Sequence, residues 1–169
     1  MSEPVPGPGD SASATVFVAV PPDVAWDVFT TEIDLWWRTG PRYRIAGRRA
    51  GRLCFETGPS GRLFETFETE SGSHTFEVGR VTAWEPPARL EMEWRVVNFA
   101  PGEKTFVTVL FAPSRDGTLV TVRHRGFAAL REGHPVRHGL AGADFSRTMG
   151  LWWGGLMTAL REHVERRPA

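Results

Sequence analysis

Cysteine is almost missing from this 169-residue chain, where Cys54 stands alone. That excludes an intramolecular disulfide framework and a cysteine-ligated zinc site. Cys54 has no flanking cation beyond Arg52, so nothing marks it as a reactive thiolate. An excess of one charge is missing too. Lys and Arg together number 20, as do Asp and Glu, which argues against a nucleic-acid surface, since such a surface carries a basic patch. No apolar run approaches the ~20 residues that cross a bilayer, so membrane insertion is not expected. The opening MSEPVPGPGDSAS has neither the basic nor the apolar region of a signal peptide, and the simplest location is the cytoplasm, as a soluble protein. Nucleophile elbow, phosphate loop and zincin motifs are absent, and no cofactor is expected. The length suits one domain with a sizeable core.

What the chain has in abundance is tryptophan, seven in all. Two of them lie in the stretch from Asp144 to Arg167. At 100° per residue, Phe145, Met149, Trp152, Trp153, Leu156, Met157, Leu160 and Val164 fall on one broad arc. Arg147, Thr158, Arg161, Glu162 and Glu165 oppose them. This predicts a long amphipathic helix, with Asp144 as its N-cap and Pro168 beyond its end. Gly154 and Gly155 lower its propensity by about 1 kcal/mol each relative to Ala. They are either poor helix chemistry or a place where backbone or ligand comes close. Such a face needs a partner, because isolated helices are marginal in water.

Most of the preceding chain reads as strands. Residues 1–13 are rich in Pro, Gly and Ser and are expected to be a disordered tail, with a single domain over 14–167. Ala14 to Val20 is the first expected strand. Pro21-Pro22-Asp23 opens a short helix, and a second helical piece covers Thr31 to Trp37. Hairpins follow. Leu53 to Thr57, Leu63 to Glu68, Thr75 to Trp84 and Arg89 to Val96 are separated by Gly/Pro/Ser clusters. In the last of these, Leu90, Met92, Trp94 and Val96 share one face, the pattern of a half-buried antiparallel strand. Val107, Val109 and Phe111 share a face of the next strand, Asp116-Gly117 marks a hairpin, and Val120, Val122 and His124 share a face of the last. Runs of strands with segregated helices indicate an α+β fold.

Four stretches together resemble the helix-grip fold of the START-like (SRPBCC) superfamily. Within it they resemble bacterial homologues of the C-terminal domain of the activator of the heat-shock-protein-ninety ATPase. Val20-Pro21-Pro22 through Val24, Trp26 and Phe29 is similar to the family's first strand and helix, and Leu35-Trp36-Trp37 to its paired tryptophans. GRVTAWEPPARLEMEW, from Gly79 to Trp94, is similar to "G-x-V-x-x-x-x-P-P-x-x-L-x-x-x-W". TVRHRGF, from Thr121 to Phe127, and Gly150-Leu151-Trp152 are similar to the closing strand and helix opening. The resemblance covers roughly residues 14–165. It implies a curved antiparallel sheet of about six to seven strands wrapped around the C-terminal helix, with two short helices after the first strand. Arg125, where the family has a small residue, and the Trp152-Trp153 pair depart from it.

The superfamily holds lipid carriers, cyclases, hormone receptors and co-chaperones on one scaffold, so fold does not give function. The leading reading is a small-molecule-binding protein, with an apolar or amphipathic ligand held between sheet and helix. Its cavity would be lined by Trp37, Phe55, Met92, Trp94, Val109, Val122, His124, Trp152 and Leu156. A second reading is a cyclase- or hydratase-like enzyme in which His124 works with a carboxylate, Glu65, Glu77 and Arg44 being strand residues that could reach it. The bland alternative for His124 is a hydrogen-bonded core residue. A third reading is a co-chaperone-like interaction module, weakened because the separate chaperone-binding N-terminal domain of the eukaryotic activator is not in this chain. Glu132, His134 and His138 are of metal-ligating type, but Gly133 and Pro135 break any helix between them and a solvated loop is expected.

Overall fold

The computed structural model describes residue 7 and residues 9–168. In chain order these form β1 (Ser11–Val18), α1 (Pro22–Thr31), α2 (Ile33–Trp36), β2 (Gly51–Phe55), β3 (Arg62–Thr69), β4 (Gly72–Glu85), β5 (Arg89–Trp94), β6 (Thr105–Ser114), β7 (Gly117–Arg125) and α3 (Gly142–Arg166). The seven strands make one antiparallel sheet in the order β1-β7-β6-β5-β4-β3-β2. α3 lies along β1, while α2 touches both β2 and α3. The two helices thus bridge the edges of a curled sheet, which is the helix-grip arrangement.

Local chemistry explains the boundaries. Pro22 stands at the first position of α1, where its missing N–H costs nothing and its fixed φ suits a helix. The hairpin glycine Gly117 is required by proximity: a Cβ there would come within 2.2 Å of the Val18 carbonyl oxygen on β1. Alternation along β5, β6 and β7 buries Leu90, Met92, Trp94, Val107, Val109, Phe111, Val120, Val122 and His124 on one face. Against this face pack Phe29 and Trp36 from the short helices and Trp153, Leu156, Met157, Leu160 and Val164 from α3. A second cluster of Phe99, Phe127, Leu130 and Phe145 closes the end where α3 begins.

Three expectations change. β1 begins at Ser11, not Ala14. Ser11, Ala12 and Ser13 pair with Arg125, His124 and Arg123, and the Asp10 carboxylate and carbonyl accept from the N–H groups of Ala128 and Phe127. Asp10 is therefore tied to the chain just after β7. Of the expected tail, residues 1–6 and 8 lie outside the described residues. Pairing with β7 overrides the weak strand propensity of the Ser/Ala run, a tertiary effect that local pattern does not carry. α3 starts at Gly142 with Ala141 as N-cap, so Asp144 sits inside the first turn, where its charge still favours the positive end of the helix dipole. Trp152 is only partly buried, and Trp153 is the tryptophan that fills the core.

Arg125 points out of the curl. It bridges strands by donating to Thr108 on β6 and Glu91 on β5, with its guanidinium over the Phe106 ring. Among the described residues no helix is long and apolar enough to cross a membrane.

Candidate functional site

The middle of the sheet–helix interface is closed. Met92, Val109, Val122 and Leu156, four of the nine expected cavity residues, are 2 % exposed or less and pack against one another's neighbours. Phe55 lies beside Trp84, toward α1.

His124 is in this closed region as well. Its Nδ1 accepts from the Trp153 indole N–H at 3.1 Å, and its Nε2 is 2.6 Å from the Thr105 hydroxyl. An indole nitrogen only donates, so Nδ1 is the unprotonated nitrogen and Nε2–H donates to Thr105. The Thr105 hydroxyl in turn donates to the Trp94 carbonyl. Burial pushes the imidazole pKa down to about 3, because a buried imidazolium loses its hydration without gaining an anion. The charged side chains expected to reach it are engaged elsewhere. Glu77 pairs with Arg80 on the surface, Glu65 holds a loop, and Arg44 pairs with Asp34.

An open cleft of about 640 Å³ lies instead toward the β2 side of the curl, within the size range of small-molecule sites. Its inner wall is Leu53, Leu63, Glu65 and Val78 on β2, β3 and β4. The end of β5 and the turn after it add Trp94, Val96, Val97 and Asn98. α3 supplies Thr148, Met149 and Trp152, and Val136 and His138 stand at the rim. The outer wall is the segment from Pro41 to Gly47. Three of the expected residues, Trp37, Trp94 and Trp152, therefore come together here.

The outer wall is a strap tied on three sides. Toward α3, Trp152 Nε1 donates to the Arg42 carbonyl at 2.7 Å, Tyr43 stacks on the Trp152 ring, and Arg38 Nε donates to the Gly155 carbonyl at 2.8 Å. Toward α2, Trp37 Nε1 donates to the Tyr43 carbonyl. Arg44, almost wholly buried, donates to the carbonyls of Asp34, Trp37 and Arg38 and to the Asp34 carboxylate. Burial alone would raise the Asp34 carboxyl, but the Leu53 N–H and the Arg44 guanidinium outweigh it and hold the pKa below its usual value. Toward the sheet, the buried Glu65 carboxylate accepts from the N–H groups of Ile45 at 2.7 Å and Ala46 at 3.2 Å.

Gly155 explains half of the glycine pair. A Cβ on it would stand 2.9 Å from the Tyr43 hydroxyl, whereas one on Gly154 would meet nothing within 4 Å. The close approach is real at one position and the poor helix chemistry is all there is at the other.

Asn98 is the remaining singular feature. The residue lines the cleft, and its Oδ1 is buried and receives no hydrogen bond from any described residue. Buried acceptors are ordinarily satisfied.

The region of Glu132, His134 and His138 is not a single site. His134 is buried, with Nδ1 accepting from the Val136 N–H and Nε2–H donating to Glu103, which also pairs with Arg131. Desolvation lowers the His134 pKa despite the nearby Glu103 charge. The Ala100 N–H and the Arg131 guanidinium bring the Glu103 carboxyl down to about 2. His138 is exposed at the cleft rim.

Sequence reading missed Arg42, Tyr43, Asn98 and Met149 as cleft residues. Tyr43 carried a usable signal, as the chain's single tyrosine in a loop between Gly40-Pro41 and Gly47; function concentrates in such loops.

The sequence profile of the activator of Hsp90 ATPase homolog 1-like proteins matches residues 19–143. The chain belongs to this family. Its fold is shared by a Rhodobacter sphaeroides protein at 18 % identity and TM-score 0.62, covering 95 % of both chains. CalU16 from Micromonospora echinospora aligns at 16 % identity and TM-score 0.52, over 92 % of this chain and 74 % of its own. DynU16, from the dynemicin biosynthetic locus, aligns at 17 % identity and TM-score 0.59, over 94 % of this chain and 48 % of its own. A search of curated proteins found no match.

Proposed function

We propose that this family member binds a small apolar or amphipathic molecule in the cleft between the strap, β2–β4 and the first half of α3. The observation that carries the reading is the cleft of about 640 Å³ itself, whose wall joins the apolar Trp37, Leu53, Leu63, Val78 and Trp94 to a few polar groups, Asn98 among them. A mostly apolar recess with a few oriented polar groups is the usual form of a ligand site. The family's scaffold supports ligand binding in general, and the likeness to CalU16 and DynU16 is a likeness of fold.

The neutral fluorophore N-phenyl-1-naphthylamine tests the reading. It should bind saturably, quench tryptophan emission and raise the melting temperature by mass action. Thr148→Trp, which fills the cleft from an exposed position on α3, should abolish all three effects while the variant stays folded. Non-saturable binding, or binding indifferent to Thr148→Trp, would remove the cleft from consideration.

A further inference from the structure

The reading of the cleft as a ligand site leaves open what kind of head group the ligand carries, and the charges around the cleft answer it. From Arg38 to Arg52 the chain has six arginines and no acidic residue. Two of the six are used inside the fold: Arg38 on the Gly155 carbonyl and Arg44 on Asp34 and three carbonyls. Arg42, Arg48, Arg49 and Arg52 are exposed, and among the described residues none of the four has a carboxylate within ion-pair distance. Only Arg42 of these lines the cleft. Its main chain is fixed there by the Trp152 N–H, and its guanidinium lies 5.8 Å from the centre of the Tyr43 ring. His138 stands at the same rim. The acid of the cleft lining, Glu65, is on the inner wall and almost wholly buried, with no cation bonded to it.

An anion placed deep would thus find the Arg44 guanidinium already engaged by Asp34 and three carbonyls, and would share a low-dielectric recess with the Glu65 carboxylate, where like charges repel strongly. At the rim it would meet an arginine fork suited to a carboxylate or phosphate. We infer, resting on the cleft being a ligand site, that the ligand is an acidic amphiphile that enters apolar end first and leaves its anionic head at the rim on Arg42.

The experiment compares laurate with dodecanol, below their aggregation limits, by titration of the full chain. Laurate should bind more tightly by about fivefold or more, as a charge-assisted pair at a partly exposed site allows, and added salt should weaken laurate alone. Arg42→Gln should erase most of that preference, with the melting temperature unchanged as the check on folding, because the Trp152 bond goes to the Arg42 main chain. Arg42→Lys should restore part of it, and Arg115→Gln, at the β6–β7 turn, should do nothing. Equal or weaker binding of laurate than of dodecanol, or a preference that survives Arg42→Gln, overturns the inference and leaves the cleft as a ligand site. Failure of both probes to bind takes the ligand reading down with it. Phosphatidylglycerol vesicles distinguish the source of the anion: vesicle binding that needs Arg42, without any preference for free laurate, would assign the arginines to a lipid surface and overturn a free acid.

Discussion

Because His124 enters the core neutral, acid solution works against the folded state at this residue. Its folded pKa of about 3 lies below the ordinary 6.5. The unfolded chain therefore binds a proton that the native chain refuses between those values. The stabilising difference is complete above about pH 6.5 and is lost as the pH falls, at up to about 1.4 kcal/mol per unit. His134 acts in the same direction, while the lowered carboxyls of Glu32, Asp34 and Glu103 come into play only below their usual values near 4. Denaturant melts between pH 7 and pH 5 should show stability falling with acidity. His124→Leu should be less stable throughout, since it orphans the Trp153 N–H, yet show a shallower slope. An unchanged slope would mean the imidazole is not the titrating group. The adjacent tryptophans give a second contrast. Trp153→Ala, in the closed core, should cost roughly 3–5 kcal/mol, and Trp152→Ala clearly less, since it is partly exposed and gives up one hydrogen bond to Arg42 and its ring stacking. Equal losses in melts would contradict their placement. The wheel put both residues on the apolar arc correctly. It had no means of knowing that one edge of the arc faces a cleft, because that depends on where residues 41–47 fold back.

The glycine pair of α3 separates helix propensity from contact. Gly154→Ala should stabilise by about 1 kcal/mol, the ordinary propensity gain, with no neighbour to displace. Gly155→Ala should gain little or lose, because its methyl group presses on the Tyr43 hydroxyl. In a Tyr43→Phe background the gain should return, a coupling that a double-mutant cycle reads directly. At the other end of the fold, deleting residues 1–13 should lower the melting temperature by several degrees. It strips Ser11–Ser13 from β7 and removes the Asp10 contacts at residues 127 and 128. No change in a thermal melt would show that these bonds are replaced by water at no cost. β1 illustrates the reach of sequence reading well. The apolar alternation around Val16 and Val18 located the strand, while its polar beginning is held by register with Arg123–Arg125, a partner 110 to 114 residues away along the chain and invisible to any local window.

For the whole molecule, period-two patterning and turn residues were enough to locate the strands along the chain and pick the core face of β5–β7, and period 3.6 was enough to find the long helix, while the order of the strands in the sheet lay outside that reading. The cleft was legible only through Trp37, Trp94 and Trp152, since its other walls come from segments without periodicity: the strap, the turn at Val97-Asn98 and the rim at Val136–His138. The strap has one more consequence. Trp152 and Trp37 grasp it by the carbonyls of residues 42 and 43, and Glu65 grasps it by the amides of residues 45 and 46. All four handles belong to the peptide backbone that every amino acid shares. The side chains at positions 42 and 45, which line the cleft, can consequently be exchanged one at a time without cutting the ties that hold the wall up. A scaffold anchored in this way can change its diet of ligands by point mutation while its frame stays the same, which makes this loop the natural place to begin redesigning what the protein takes in.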